Sequence, residues 1–141
     1  MSGKKFKNTA ELLERSSQYI KRTKALRDNY EEALSKEEVD KAAEMLWGIF
    51  SCHVNALAVL RNGEPYTEFG KMVEFTEDLA KEKEDKKLGQ AVKSAKKAHA
   101  NFYHGFWNDK EDLIEVYLDV IYAITVIQQE IDAAQARIVI S

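Results

Sequence analysis

Apolar side chains in this chain recur every three or four positions in one stretch after another, and a proline interrupts them only once, at Pro65. Leu12, Tyr19, Leu26, Tyr30 and Ala33 form the first stripe, with Ser16 and Thr23 filling its gaps. Leu46, Ile49, Phe50, His53, Leu57 and Leu60 form the second, and Phe69, Met72, Val73, Thr76 and Leu79 the third. Leu88, Val92, Ala95, His99, Phe102 and Phe106 make the fourth; Leu113, Tyr117, Val120, Ile124, Ile127 and Ile131 make the fifth. A period near 3.6 lines up one face of an α-helix, whereas strand side chains alternate from face to face. Only the tail Ile138-Val139-Ile140 would suit a strand.

Capping residues place the boundaries. Asn8 with Glu11 predicts the first helix start, because a short polar N-cap and a Glu three positions later satisfy amide groups that have no partner within the helix. Ser35 and Glu38 repeat that signal and open the second helix. Asn62-Gly63-Glu64-Pro65 closes it, since glycine suits a left-handed cap and proline blocks continuation. A break is expected at Glu84-Asp85, with Asp85 capping the fourth helix. Gly105 ends that helix, and Asn108 with Glu111 caps the fifth, which runs to about Arg137. The fold expected is all-α: an antiparallel up-and-down bundle of four long helices plus one shorter helix, the third. It fills residues 1–141 as a single domain.

The fifth helix carries a second line, Glu115, Asp119, Tyr122, Val126, Gln129 and Ala133, that turns apolar towards its middle. A helix apolar nearly all round is either central in its bundle or shared with a second subunit. A two-fold homodimer across Tyr122, Val126 and Ala133 is expected, with a central fifth helix as the alternative.

Composition narrows the setting. With 45% hydrophobic and 32% charged residues, the chain has the make-up of an ordinary soluble globular protein. The single Cys52 cannot form an internal disulfide, which suits a reducing cytoplasm. Lys4, Lys5 and Lys7 follow Met1 without an apolar run, so no secretory signal is expected, and no membrane span is expected either. A net charge of −3 gives no general attraction to nucleic acid. The charge is uneven, however: residues 1–27 and 81–97 are rich in Lys and Arg, and 109–132 in acids. Such blocks serve either as helices that neighbour each other favourably or as a basic face for a polyanion.

Chemistry-bearing groups concentrate in His99-Ala-Asn-Phe-Tyr-His104-Gly-Phe-Trp107, where the fourth helix stops and the fifth begins. His53 and His99 both fall on core stripes of helices expected to lie close together. A buried histidine is ordinarily a hydrogen-bonded core residue; the alternative is a ligand. Positions three before His53, His99 and His104 hold Phe50, Lys96 and Asn101, so no Glu-x-x-His pair exists and no metal is expected. Glycine-rich phosphate loops and Gly-x-Ser-x-Gly turns are absent, and no cofactor is expected. Cys52 adjoins His53, but successive helical residues point about 100° apart, which denies them a nucleophilic pairing. Gly48, beside Trp47, costs up to ~1 kcal/mol inside a helix and implies close approach by another element, expected to be the fourth or fifth helix.

Glu44-Met-Leu-Trp47-Gly48, then His53, Ala56 and Leu57, and later His99-Ala-Asn-Phe-Tyr103 with Gly105, resemble the archaeal PaREP family, grouped with HEPN-like helical bundles. The resemblance covers most of the chain, and its specific part is these two motifs. It implies an up-and-down bundle, often dimeric, with a nucleotide- or RNA-linked role and a nucleotidyltransferase-type protein as a candidate partner. Trp47, His53, His99, Tyr103 and Trp107 are then the candidate binding residues. Some HEPN-like domains are metal-independent RNases using Arg-x4-His. Here His99 and His104 keep that spacing with histidine in place of arginine, and His104 stands where PaREP members more often have an acid. A neutral imidazole holds phosphate poorly, and five helical residues separate two side chains by about 140°. A binding or scaffold module is the reading preferred. The alternative is a toxin–antitoxin endoribonuclease acting through His104 and Tyr103, assisted by His99 and Asn101.

Overall fold

The computed structural model describes residues 8–104 and 110–140, and among them the chain is an all-α bundle. The helices are α1 (Thr9–Ser35), α2 (Val39–Asn62), α3 (Phe69–Glu82), α4 (Lys86–His104) and α5 (Lys110–Ile140). With 14 residues, α3 is the short one. Asn8 caps α1 as expected, its Oδ1 accepting from the Glu11 amide at 2.9 Å. Asp85 does the same for α4 through the Leu88 amide at 2.9 Å. Gly63 closes α2 with φ of 82°, the left-handed conformation that glycine adopts without strain.

Ser35 does not cap α2. It is the last residue of α1, and its hydroxyl donates back to the Glu32 carbonyl at 2.7 Å. The turn is instead closed by backbone: the Glu38 amide reaches Ala33 O and the Glu37 amide reaches Leu34 O, with Glu37 left-handed at φ 58°. The turn after α3 repeats this arrangement around Glu84, at φ 53°. The proposed caps at Gly105 and Asn108 lie outside the described residues. At the other end of α5, Ile138-Val139-Ile140 continues the helix rather than forming an extended tail.

The central helix is α2, not α5. It packs against all four of the others, and Leu46, Phe50, Val54, Ala56, Leu57 and Val59 are sealed from solvent. It is also, among the described residues, the one helix long and apolar enough to cross a membrane, yet 72% of its most apolar stretch is buried inside the protein. Burial on that scale is what a core helix requires. Along the seam with α1, Ser16 donates to the Ala56 carbonyl at 2.9 Å, and a Cβ on Gly48 would lie 3.3 Å from the Leu26 methyls. The numbering falls on one helix as it rises on the other. The element that crowds Gly48 is therefore α1, rather than α4 or α5.

One side of α5 meets solvent, with Leu118 63% exposed. The line expected to pair two subunits is largely spent within the chain. Val126 is 6% exposed, and the half-buried Tyr122 donates its hydroxyl to Asp85 at 2.8 Å beneath the Lys87 ammonium; of the three, Ala133 is the most open to solvent. Elsewhere Glu130 on α5 draws two other helices together, accepting from Arg61 and from Lys83 just beyond the end of α3, each at 2.8 Å, while Arg61 also pairs with Glu82 at 3.0 Å. The Lys83 hydrogen bond first, then the charges of Lys83 and Arg61, hold the Glu130 carboxyl below its ordinary range.

Candidate functional site

Four side chains from three helices meet at one corner: Glu44 and Trp47 of α2, Phe69 of α3 and His99 of α4. Glu44 and Trp47 are three apart on one helix, so they point to neighbouring positions on a single face. Phe69 is delivered by the α2–α3 connection, which Asn55 pins from inside α2. Its amide nitrogen donates to the Tyr66 carbonyl at 3.1 Å, and its oxygen accepts from the Tyr66 amide at 2.8 Å. Both polar groups of a buried amide are satisfied this way, and the start of α3 is located with them.

The rings form a compact trio. Phe69 and His99 stack at 4.8 Å with 26° between planes, and Trp47 leans on both with centroids at 5.0 Å. Trp47 also touches Phe50, which roots the trio in the core. Offset and tilted contacts at these separations are the favoured aromatic geometries. Exposure is graded outward: Trp47 is 7% exposed, whereas Phe69 is 38% exposed and offers its ring to solvent. Beside the rings, His99 Nδ1 stands 3.4 Å from Glu44 Oε1. The other carboxylate oxygen, Glu44 Oε2, is shielded from water and accepts no hydrogen bond among the described residues. A shielded carboxylate oxygen without a donor is costly, and an incoming N–H would relieve that cost.

Of the candidate residues read from the sequence, the structure brings Trp47 and His99 together. The helices that carry His53 and His99 do pack together as expected, but His53 lies outside this corner. Six residues beyond Trp47 on α2, it points about 120° away around the helix. There it is 3% exposed, its Nδ1 3.0 Å from the Ile49 carbonyl, with Arg27 and Gln128 nearby. Burial pushes its imidazole below the ordinary value, so it is held neutral as a core residue. Asn101, Tyr103 and His104 belong to the last turn of α4, but their side chains lie outside the described residues, as does Trp107 altogether. Glu44 and Phe69 went unassigned in the sequence reading. Glu44 appeared only as part of a motif and Phe69 only as one member of an apolar stripe, so neither carried a separate signal. Comparison of the chain with family models, with curated proteins and with solved structures found no match.

Proposed function

We propose that this protein is a HEPN-like bundle of the PaREP type, antiparallel and up-and-down, serving as a non-catalytic binding or scaffold module with a nucleotide- or RNA-linked role. Supporting the topology are four long helices with one short one, and turns of three residues between α1 and α2 and between α3 and α4. Short turns favour antiparallel neighbours. The binding reading rests on one observation: a shielded carboxylate oxygen of Glu44, unpartnered among the described residues, lies beside an aromatic stack whose outer ring, Phe69, faces solvent. A ligand that answers both features is planar and carries an N–H at its edge, as a nucleobase does. His99 orients and backs Phe69 in this scheme and takes no part in bond cleavage.

The remaining parts of the proposal are a nucleotidyltransferase-type partner, which rests on the resemblance, a homodimer, which rests on it and on the apolar residues of the fifth helix, and action in the cytoplasm, which rests on the single Cys52. For the dimer, Ile114 and Leu118, one turn apart and exposed on α5, offer apolar contact that the Tyr122 line does not.

Calorimetric titration with ribonucleotides tests the corner. Phe69→Ala is expected to weaken binding about tenfold or more, the usual consequence of losing a stacked base. Glu44→Gln is expected to change which base is preferred. Absence of binding to every nucleotide, or unchanged affinity in Phe69→Ala, would remove this reading.

A further inference from the structure

Among the described residues, some lysines of this chain are held in ion pairs and others are not. Lys24, Lys36 and Lys41 are paired with Asp28, Glu32 and Glu38 on their own or the adjoining helix turn. Lys83, in the turn between α3 and α4, pairs with Glu130, but several lysines on those two helices do not pair. Lys81, Lys86, Lys93, Lys96 and Lys97 form no ion pair among the described residues, and α4 contains no acid from Lys86 to His104. At 3.6 residues per turn, Lys86, Lys93 and Lys97 fall within an arc of about 40° and make a straight outward ridge roughly 16 Å long. All three are exposed.

This ridge borders a surface groove of about 680 Å³ between the two helices, where the small residues Ala80 and Gly89 meet. Lys81, Lys86, Lys93 and Gln90 line it, together with Glu77 and Glu84. Asp85, also at its edge, is already occupied by the Leu88 amide and the Tyr122 hydroxyl. The α3–α4 seam then runs from this groove to the exposed ring of Phe69, about 16 Å along α3.

We infer that this α3–α4 face is a binding track for single-stranded nucleic acid, with the lysine ridge taking successive phosphates and the groove admitting unpaired bases. A line of discrete cations suits a strand of discrete anions. The carboxylates of Glu77 and Glu84 decide against an anionic lipid surface, which would press negative headgroups onto them, and against a duplex, whose amino groups lie recessed in grooves between two phosphate backbones. An unpaired base instead offers exocyclic amino groups, which a carboxylate accepts. The track goes beyond the corner reading and stands without it, because the ridge meets phosphate whether or not a base reaches Phe69.

Fluorescence anisotropy with a labelled single-stranded RNA, the matching DNA strand and the duplex, measured over a range of salt, tests the inference. Competitors are polyglutamate and phosphatidylserine vesicles. Lys86→Glu, Lys93→Glu and Lys97→Glu combined are expected to weaken strand binding at least about tenfold and to flatten the salt dependence by about two in log–log slope. Lys→Gln at the same positions should act in the same direction more weakly, and circular dichroism should show helicity unchanged in both. Reversal of Lys24, Lys36 and Lys41 supplies the charge-matched control and should leave most of the binding intact. No strand binding by the native protein, equal losses in ridge and control variants, or preference for duplex, polyglutamate or vesicles would each overturn the track. Mononucleotide binding that fails while ridge-dependent strand binding persists removes the corner reading alone; the opposite pattern removes the track alone.

Discussion

His53 and His99 both sit on apolar stripes of helices in one bundle, yet their surroundings are opposite. His53 is closed in among α1, α2 and α5, with its Nδ1 against the Ile49 carbonyl and Arg27 beside it. His99 is a quarter exposed, stacked on Phe69 and set against a carboxylate. The first arrangement spends the imidazole on stability. The second leaves an aromatic face open to further contact, beside a shielded carboxylate oxygen that lacks a donor among the described residues. Position on a core stripe therefore does not decide a histidine's role; the number of faces covered by neighbours does.

The contrast can be broken most forcefully at Trp47. It is the residue through which the corner is anchored to the core, touching Phe50, Phe69 and His99. Trp47→Ala is expected to cost ~3–5 kcal/mol of stability, read as a lowered denaturant midpoint. An unchanged midpoint would show that the corner is not rooted in the core and that the two histidine environments differ less than described.

A smaller effect sharpens the other side. Burial lowers the folded-state pKa of His53 from its ordinary 6.5. The unfolded chain takes up this proton near that value and the folded protein only at lower pH. Stability from this group is thus complete above 6.5 and declines as pH falls below it. Urea denaturation across this range should show a falling midpoint whose slope diminishes in His53→Gln. A slope identical in the variant would mean that His53 titrates as though exposed.

The smallest change expected is at Gly48, on the α1 side of the same helix. The nearest atoms to a methyl there would be the flexible end of the half-buried Leu26, at 3.3 Å, which must shift by a few tenths of an ångström. Helix propensity favours alanine by up to ~1 kcal/mol, so Gly48→Ala should be neutral or slightly stabilising. A raised melting temperature agrees with this; marked destabilisation would mean that the α1–α2 seam cannot yield there.

Much of the architecture was legible in the residue order, because helix period, caps and breakers are local properties. Asn8, Gly63 and Asp85 mark their boundaries through atoms within a few residues of each other. Ser35 misled because the same side chain can cap the next helix or bond back to the last one, and the backbone turn at Glu37 settled the choice. Which helix lies at the centre was not legible. Both α2 and α5 are rich in apolar residues, and only the packing shows that α2 is enclosed on all sides while α5 keeps an open face.

The chain's order alone thus determined the helices and the short third member, which depend on spacing and side-chain type. Tertiary structure decided the partners. Phe69 and Glu44 come to His99 from residues 30 and 55 positions away in the chain. The separation of His53 from that corner follows from its place about 120° around α2 from Trp47. Contacts of this kind arise from how helices cross, and no local pattern encodes a crossing.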